Sequence, residues 1–329
     1  MSTPRVAQAA VERLIERPEM RVLVTGGAGF IGSNLVDELL GRGDDVVVLD
    51  NFASGRRERL AEFGSRVRLV EGDLRSYERV HAATRNVELV FHIGALPSIQ
   101  RSIQDPLTTN AVNVDGTLNV LLAARDESVR RVVFASSSSI YGDAPGLPRV
   151  ETQAPAPIAP YAVAKLAAES YCRAFWRVYS LETVCLRYFN VFGPRQDPTS
   201  EYAAAVPRFI TRALRGEAPV IYGDGEQRRD FTYVGDVVQG TLLAGSAEGV
   251  GGETFNLAAG QSRSVNELAE TVARIVGDEL ASVYVAARPG DIRDSAADIE
   301  KAEKMLGYRP GISFDDGLRA TVDFFAQST

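Results

Sequence analysis

The sequence has 329 residues, a formal net charge of −7 and a pI near 5.2, and 45% of its residues are hydrophobic. This composition is typical of a globular protein with a large core, and the acidic balance disfavours a nucleic-acid-binding protein, which would carry a basic patch. Two cysteines and two histidines exclude a disulfide framework and a histidine-rich metal site, so no metal is expected.

Residues 1–20 are interpreted as an N-terminal extension. They contain acidic residues and lack the apolar run of a signal peptide, and their pattern is typical of a short amphipathic helix. No apolar run in the sequence reaches the length of a membrane span. The sequence therefore predicts a cytoplasmic protein with no membrane partner.

From Arg21 onward, short β-branched runs alternate with helical patterns. The predicted strands are 21–25, 45–50, 66–73, 88–93, 131–136 and 183–189. Strands that alternate with helices form βαβ units, and nearly continuous apolar strands are typical of a sheet covered on both faces. The sequence therefore predicts an α/β fold with a Rossmann-type doubly wound parallel sheet.

The pattern changes after Gly193, where a Pro- and Asp-rich loop precedes a helix and a short strand. Further on, the strand FTYV leads into a helix that is expected to return to the main sheet. We predict that the Rossmann domain spans 21–190 together with about 230–260. A smaller C-terminal substrate-binding lobe is predicted over 191–229 and 261–329.

A glycine cluster lies between the first predicted strand and the first predicted helix, with GxxGxxG spacing over 26–32 and GxGxxG spacing over 27–32. Glycines permit a tight turn and a close approach of the backbone to a pyrophosphate, which then lies at a helix N-terminus. The pattern therefore predicts a dinucleotide site. Its expected pyrophosphate contacts are Gly26, Gly29, Phe30, Ile31 and Gly32.

Asp50 ends the second predicted strand, eighteen residues after Gly32, where an acidic residue binds the ribose hydroxyls of a dinucleotide. A carboxylate there repels a 2′-phosphate, which favours NAD over NADP. Arg56 and Arg57 follow closely and could attract that phosphate, so NADP stays open. At the adenosine end we also expect Asn51, Asp73 and Leu74, although Asp73 could be a plain turn residue.

Tyr161 and Lys165 lie one helical turn apart in PYAVAKLAAE, and Ser137 precedes Tyr161 by twenty-four residues in ASSSSIYG, at a predicted strand end. An amphipathic helix with a buried aromatic residue and a solvated lysine would show the same pair. The glycine cluster, the serine and this pair, in this order, resemble the catalytic triad of the short-chain dehydrogenase superfamily, which favours a catalytic role. A free phenol has a pKa near ~10, and we expect the Lys165 ammonium and the nicotinamide charge to lower it. Tyr161 would then accept a hydroxyl proton, with Ser137 bound to the same oxygen and Lys165 also holding the nicotinamide ribose.

These motifs, in this order, resemble the extended short-chain dehydrogenase/reductases, and within them the NAD-dependent nucleotide-sugar epimerase family. The segments FHIGALPSIQRSIQDP, NVDGTLNVLLAA, LRYFNVFGPRQDP, IYGDGEQRRDFTYVGD and RPGDIRDSAAD are similar to those of bacterial 4-epimerases of UDP-glucuronate and UDP-N-acetylglucosamine. The resemblance implies a homodimer that holds NAD. It also implies that C4 of a UDP-sugar is inverted through a transient 4-keto intermediate.

The resemblance implies that Asn190, Arg229, Arg288 and Asp291 hold the UDP, although each could instead be a surface residue. The two arginines suit a diphosphate because guanidinium pairs bidentately with its oxygens. Asn113 would brace the site internally. The other substrate contacts that we expect are Ser98, Arg101, Ser138, Ser139, Arg195, Val206, Tyr222 and Ser295.

Two positions discriminate among related enzymes. Nucleotide-sugar dehydratases carry an Asp-Glu pair, and UDP-glucuronate decarboxylases a glutamate, where this sequence has Ser138 and Ser139, so epimerisation is favoured. An NAD-binding sensor without turnover would not need the triad.

The choice of sugar is less constrained by the sequence. Ser295 replaces the tyrosine of glucose-only epimerases, which leaves room for an N-acetyl group or a uronate. The hydroxyls of Ser138 and Ser139 favour the uronate, hence UDP-glucuronate to UDP-galacturonate. Asp197, where some uronate epimerases have an arginine, favours the alternative, UDP-N-acetylglucosamine or UDP-glucose.

Overall fold

The computed structural model describes residues 20–198, 204–277, 281–287 and 293–327. The extension predicted over 1–20 therefore lies outside the described residues except for Met20. The strands are β1 (Arg21–Thr25), β2 (Asp45–Asp50), β3 (Val67–Glu71), β4 (Leu89–His92), β5 (Arg131–Ser137), β6 (Glu182–Tyr188), β7 (Val191–Phe192), β8 (Val220–Tyr222), β9 (Arg228–Asp230), β10 (Thr232–Tyr233), β11 (Thr254–Leu257), β12 (Ser262–Ser264) and β13 (Val283–Val285).

The helices connect these strands on both faces of a sheet. They are α1 (Phe30–Gly41), α2 (Glu58–Ala61), α3 (Tyr77–Thr84), α4 (Ile99–Gln104), α5 (Pro106–Asn110), α6 (Gly116–Asp126), α7 (Pro160–Tyr179), α8 (Ala205–Leu214), α9 (Val234–Ser246), α10 (Val265–Val276), α11 (Glu300–Leu306) and α12 (Phe314–Gln327). Short 3-10 turns lie at Gly64–Arg66 and Ser138–Tyr141, and a π-helical segment lies at Ala111–Asp115. None of the helices in the described ranges is both long and apolar enough to cross a bilayer.

The main sheet has seven parallel strands in the order β11-β6-β5-β4-β1-β2-β3. The six strands predicted from the sequence are all present, with ends that differ by no more than two residues. The seventh, β11, was not among them, although its segment was expected to return to this sheet. The predicted Rossmann-type fold is confirmed. The strand order reverses between β1 and β4, which is where open parallel sheets bind ligands.

Side chains of one strand supply both faces of the sheet. In β2, Val46 and Val48 pack with Leu35 of α1 in one buried cluster, whereas Val47 packs with Val80 of α3 in the other. This follows from the two-residue period of a strand. Because helices cover both faces, the strands are apolar throughout, which is the pattern seen in the sequence.

The C-terminal third contributes a separate core. Phe209 of α8, Leu268 of α10 and Leu318 of α12 are buried together in a third cluster. This region also contains two short two-stranded sheets, in which β12 is antiparallel to β9 and β13 is parallel to β8. The separate cluster supports our proposal of a smaller lobe over 191–229 and 261–329.

Candidate active site

The turn between β1 and α1 is shaped for the close approach of an anion. Gly26 has φ of +70°, and a Cβ built on Gly32 would lie 2.1 Å from the Gly26 carbonyl oxygen. The N-cap residue Gly29 offers no side-chain cap, and the described first turn of α1 holds no acidic residue. Its N–H groups and the helix dipole therefore remain available to a pyrophosphate.

Asp50 lies at the end of β2, beside this turn. Its carboxylate accepts the Ala28 N–H at 2.9 Å and the Phe52 N–H at 2.8 Å. Burial raises the pKa of Asp50, with the backbone hydrogen bonds acting in the opposite direction. A carboxylate offers about four lone-pair sites, so each oxygen can still accept a ribose hydroxyl.

A cavity at the carboxyl end of β2 and β3 is lined by Asp50, Asn51, Asp73 and Leu74, the residues expected around adenosine. Arg75 donates from Nε and Nη2 to the two oxygens of Asp73 at 2.9 and 2.8 Å. This ion pair lowers the pKa of Asp73 to about 2. Sequence reasoning did not identify Arg75, although its place two residues after Asp73 was the available signal. The cradle and this cavity together fit NAD.

The two arginines that could have attracted a 2′-phosphate face carboxylates. Arg56 Nη2 lies 2.9 Å from Asp197 Oδ1, and Arg57 Nη2 lies 2.6 Å from Glu71 Oε2. A phosphate at Asp50 would compete with both acids. The geometry therefore favours NAD over NADP.

The structure brings together the three residues of the expected triad. Ser137 is the last residue of β5, and Tyr161 and Lys165 lie in the first two turns of α7. Ser137 lies close enough to the Tyr161 phenol to oppose the rise in its pKa, and Ser137 Oγ accepts the Ser139 N–H at 3.2 Å. Lys165 is buried and donates from Nζ to the Ala135 carbonyl at 2.6 Å. The phenol and the serine can thus share one substrate oxygen.

The expected electrostatic effect of Lys165 on Tyr161 needs correction. Burial raises the pKa of Tyr161 to about 12, and the residue that opposes this is Ser137 rather than Lys165. Burial also lowers the pKa of Lys165 to about 8. Lys165 does not oppose the rise in the Tyr161 pKa because its ammonium is directed at the Ala135 carbonyl. Lys165 thus does not by itself make the phenol more acidic.

The segment around Ser295 bonds to the loop that follows the serine turn. Ser138 and Ser139 belong to the 3-10 turn directly after Ser137, and Ser139 Oγ is buried with no hydrogen-bond partner among the described residues. The Ser295 N–H donates to the Arg228 carbonyl at 3.0 Å, and the Arg149 N–H donates to the Ala296 carbonyl at 2.8 Å. The structure therefore positions Ser295 beside β9 and the loop that follows the serine turn.

Two of the residues expected at the UDP, Asn190 and Arg229, lie at β9. Asn190 Nδ2 donates to the Asp230 carbonyl at 3.2 Å, and Arg229 Nη1 donates to the Arg293 carbonyl at 2.9 Å. Tyr222 is half-buried at the end of β8, with the Arg208 guanidinium 5.5 Å from its ring centre. The expected contacts Arg288 and Asp291 lie outside the described residues.

Two residues that were expected to contact the sugar, Arg195 and Val206, have other partners in the structure. Arg195 Nη2 lies 3.0 Å from Asp37 Oδ2 and 2.6 Å from Glu62 Oε1, so two carboxylates hold it against α1 and α2. Val206 is only 2% exposed and packs in the core of the lobe. Neither side chain is available to a sugar.

The segment after β4 also differs from expectation. Arg101 lines the cavity of Asp73 and Leu74, at the cofactor end rather than the sugar end. Ser98 caps α4 by accepting the Arg101 N–H at 3.1 Å. Asn113 is buried and braces this segment, because its amide exchanges hydrogen bonds of 2.8 and 3.1 Å with the backbone of Leu96.

Comparison with known proteins agrees with this geometry. Residues 22–258 match the NAD dependent epimerase/dehydratase family. A UDP-glucose 4-epimerase from Mycolicibacterium smegmatis is 40% identical over 93% of this chain and 98% of its own length. A UDP-glucuronate 4-epimerase from Thermodesulfobacterium geofontis is 33% identical over 92% and 95%. Decarboxylases of UDP-glucuronic acid also match.

A solved structure described as MoeE5 in complex with UDP-glucuronic acid and NAD superposes with a TM-score of 0.85 and 38% identity, covering 94% of this chain and 100% of that one. The cofactor expected from the glycine cluster, NAD, is thereby confirmed. Fold, triad geometry and comparisons converge on the same conclusion: the chain belongs to the NAD dependent epimerase/dehydratase family.

Proposed function

We propose that this protein is a UDP-sugar 4-epimerase whose preferred reaction converts UDP-glucuronate to UDP-galacturonate through a 4-keto sugar. The observation that carries the proposal is the convergence of Ser137, Tyr161 and Lys165 at the carboxyl end of β5, where Lys165 Nζ donates to the Ala135 carbonyl. NAD, when bound, supplies a reversible hydride acceptor at C4 and a positive charge. That charge is the remaining source of acidity for a phenol whose pKa burial raises to about 12.

The chain's own residues would then move one proton and hold one oxygen. Tyr161 takes the proton of the C4 hydroxyl and returns it to the same oxygen after the keto sugar has rotated to present its other face. Ser137 donates to that oxygen while it is a carbonyl. Asn190 and Arg229 retain the UDP, so the keto sugar can rotate about its diphosphate without leaving.

The same site argues against the neighbouring reactions of the family. The related dehydratases and decarboxylases carry an acid directly after the triad serine or threonine, and here the turn after Ser137 has Ser138 and Ser139 there. A sensor without turnover would have no use for a phenol and a serine placed close together. The geometry therefore favours epimerisation.

The uronate is favoured by the polarity of the serine turn. The buried Ser139 hydroxyl has no hydrogen-bond partner among the described residues, so a substrate carboxylate would satisfy it. The acid that seemed unfavourable for a uronate, Asp197, is paired with Arg56. UDP-N-acetylglucosamine or UDP-glucose remains the alternative substrate, because the small Ser295 side chain would admit either.

The choice of sugar is tested by comparing kcat/KM for UDP-glucuronate, UDP-N-acetylglucosamine and UDP-glucose. A hydrogen bond to a charged group contributes about 1.5–3 kcal/mol, so we expect a preference of about tenfold or more for UDP-glucuronate. Ser139→Ala should reduce that preference, whereas Ser170→Ala, on the exposed face of α7, should not. A higher kcat/KM for either other sugar would replace this substrate assignment.

We also propose a cytoplasmic homodimer. Leu107, Ile103 and Val163, on α5, α4 and α7, are 83%, 57% and 52% exposed. Apolar side chains this exposed on neighbouring helices mark an interface, and a second copy is the partner that the family resemblance implies. The cytoplasmic assignment is supported by Cys172 and Cys185, which are free thiols.

The dimer is tested by sedimentation velocity of the wild-type protein and of Leu107→Glu. We expect a dimer that the substitution converts to a monomer, because a buried carboxylate would be unpaired. Leu147→Glu, at a position 48% exposed in the loop before α7, is the matched control and should leave the dimer intact. A wild-type monomer at micromolar concentration would refute the proposal.

A further inference from the structure

A buried polar cluster begins directly beneath the catalytic helix. Glu169 lies one turn after Lys165 on α7 and is 1% exposed. Arg187 of β6 donates to both of its oxygens at 3.0 and 2.9 Å, and Ser136 Oγ donates to Oε1 at 2.5 Å. Ser136 precedes Ser137, so these bonds fix α7 to the strand end that carries the catalytic serine.

The cluster continues through the hydroxyl of Tyr141 to a strand that sequence reasoning missed. Arg187 Nη1 donates to Tyr141 Oη at 2.8 Å, and Tyr141 donates to Asn256 Oδ1 at 2.7 Å. Tyr141 is 1% exposed and ends the serine turn, while Asn256 lies in β11 and is fully buried. The Tyr141 hydroxyl therefore links the serine turn and β6 to β11, the edge strand of the sheet.

The amide of Asn256 holds the two segments that run beside Ser295. Its Nδ2 donates to the Arg149 carbonyl at 2.9 Å and to the Asp298 carbonyl at 3.1 Å. These segments also bond to each other, because the Asp298 N–H donates to the Arg149 carbonyl at 2.9 Å. Asn256 is thus the point where the sugar-side segments are attached to the main sheet.

The direction of each hydrogen bond in this cluster is determined. A guanidinium can only donate, so the Tyr141 oxygen accepts from Arg187 and its proton is directed to Asn256. The amide oxygen is thereby fixed towards Tyr141, and both amide protons face the two carbonyls. A flipped amide would set its oxygen against the two carbonyls, so these acceptors set the orientation of the amide and the Tyr141 hydroxyl anchors its oxygen.

We propose that Tyr141 is a positioning residue for the sugar: its hydroxyl ties the Asn256 amide to Arg187 and so fixes the Ser295 segment relative to the triad. This inference rests on the proposed UDP-sugar activity and adds a specificity role at a residue that touches neither substrate nor cofactor. Loss of the hydroxyl should loosen the sugar wall and leave the UDP contacts unchanged.

The test compares Tyr141→Phe with Tyr188→Phe in the NAD-loaded protein. Tyr188 is a matched control, because it is also buried and its hydroxyl bonds to Thr241 at 2.8 Å, beside Arg187 on β6. Calorimetry gives Kd for UDP and for UDP-glucuronate. We expect the ratio of Kd for UDP to Kd for UDP-glucuronate to fall about three- to tenfold in Tyr141→Phe, because UDP-glucuronate binds more weakly. The ratio should stay at the wild-type value in Tyr188→Phe, while both variants lose a similar amount of Tm.

Two results would overturn the inference alone: an unchanged ratio in Tyr141→Phe, or an equal change in both variants. If Tyr141→Phe does not fold, Asn256→Asp serves instead, because it keeps the oxygen towards Tyr141 and sets a carboxylate against the two carbonyls. It should lower the ratio in the same direction, and an unchanged ratio would again overturn the inference. A wild-type protein that binds UDP-sugars no more tightly than UDP, and converts none of them, would instead refute the proposed function.

Discussion

Replacing Tyr161 with phenylalanine is expected to lower kcat by about 10²–10⁴-fold, the usual contribution of a positioned acid–base group, while NAD stays bound. The substitution removes one oxygen that lies close to Ser137 and leaves the buried ring in place. No cavity forms, so the Tm should change little. The measurements are steady-state epimerisation of UDP-glucuronate and the NAD content of the purified variant.

The matched control is Tyr171→Phe, on the same helix at a position that is 40% exposed. It should keep wild-type activity. A Tyr161→Phe protein with near-wild-type kcat would show that another group moves the proton, and the assignment of the base would have to be abandoned.

Replacing Gly32 with alanine is expected to abolish tight NAD binding. The added Cβ would lie 2.1 Å from the Gly26 carbonyl oxygen and 2.9 Å from Gly27 Cα, so the turn that cradles the pyrophosphate must move. Overpacking of this kind costs about 1–3 kcal/mol, which corresponds to a loss of about five- to 140-fold in affinity. Fluorescence titration of the cofactor-stripped protein with NADH measures it.

Gly41→Ala is the control for that experiment. Gly41 ends the same helix, and a Cβ there meets nothing within 4 Å. Alanine should keep NAD affinity and stabilise α1 by about 0.5–1 kcal/mol. Equal affinity in Gly32→Ala and the wild-type protein would contradict the assignment of this turn to the pyrophosphate.

The features that the sequence predicted well are those encoded locally. The glycine spacing, the acidic residue after β2 and the Tyr161–Lys165 pair each depend on a few adjacent residues, because turn geometry and helical period fix their relative positions. The apolar strands were equally clear, since a sheet covered on both faces requires them. These features sufficed to indicate the fold and the cofactor.

The features that were missed depend on long-range pairing. Arg195 was predicted to contact the sugar, but Asp37 and Glu62, which are distant in the sequence, hold its guanidinium. β11 is short and contains Asn256, whose polarity concealed a buried strand. Its amide is tolerated there because three partners satisfy it.

The pKa of Tyr161 shows a third kind of limit. Helical spacing correctly brought Tyr161 and Lys165 onto one face, but it could not show that the ammonium would bond to the Ala135 carbonyl. Nor could it show that burial would be the largest influence on the pKa of the Tyr161 phenol. Side-chain direction and desolvation are set by the packed neighbours, which no short motif contains.

The ties made by residues 194–197 have a mechanical consequence. The Pro194 carbonyl accepts from Asn34 at 3.1 Å, Arg195 pairs with Asp37 of α1 and with Glu62 directly after α2, and Asp197 pairs with Arg56. A separation of the proposed lobe from the nucleotide cradle that carries residues 194–197 with it must break all of these ties. Such a tether suits an enzyme whose coenzyme ends each cycle in the oxidation state in which it began, because nothing requires it to exchange between turnovers.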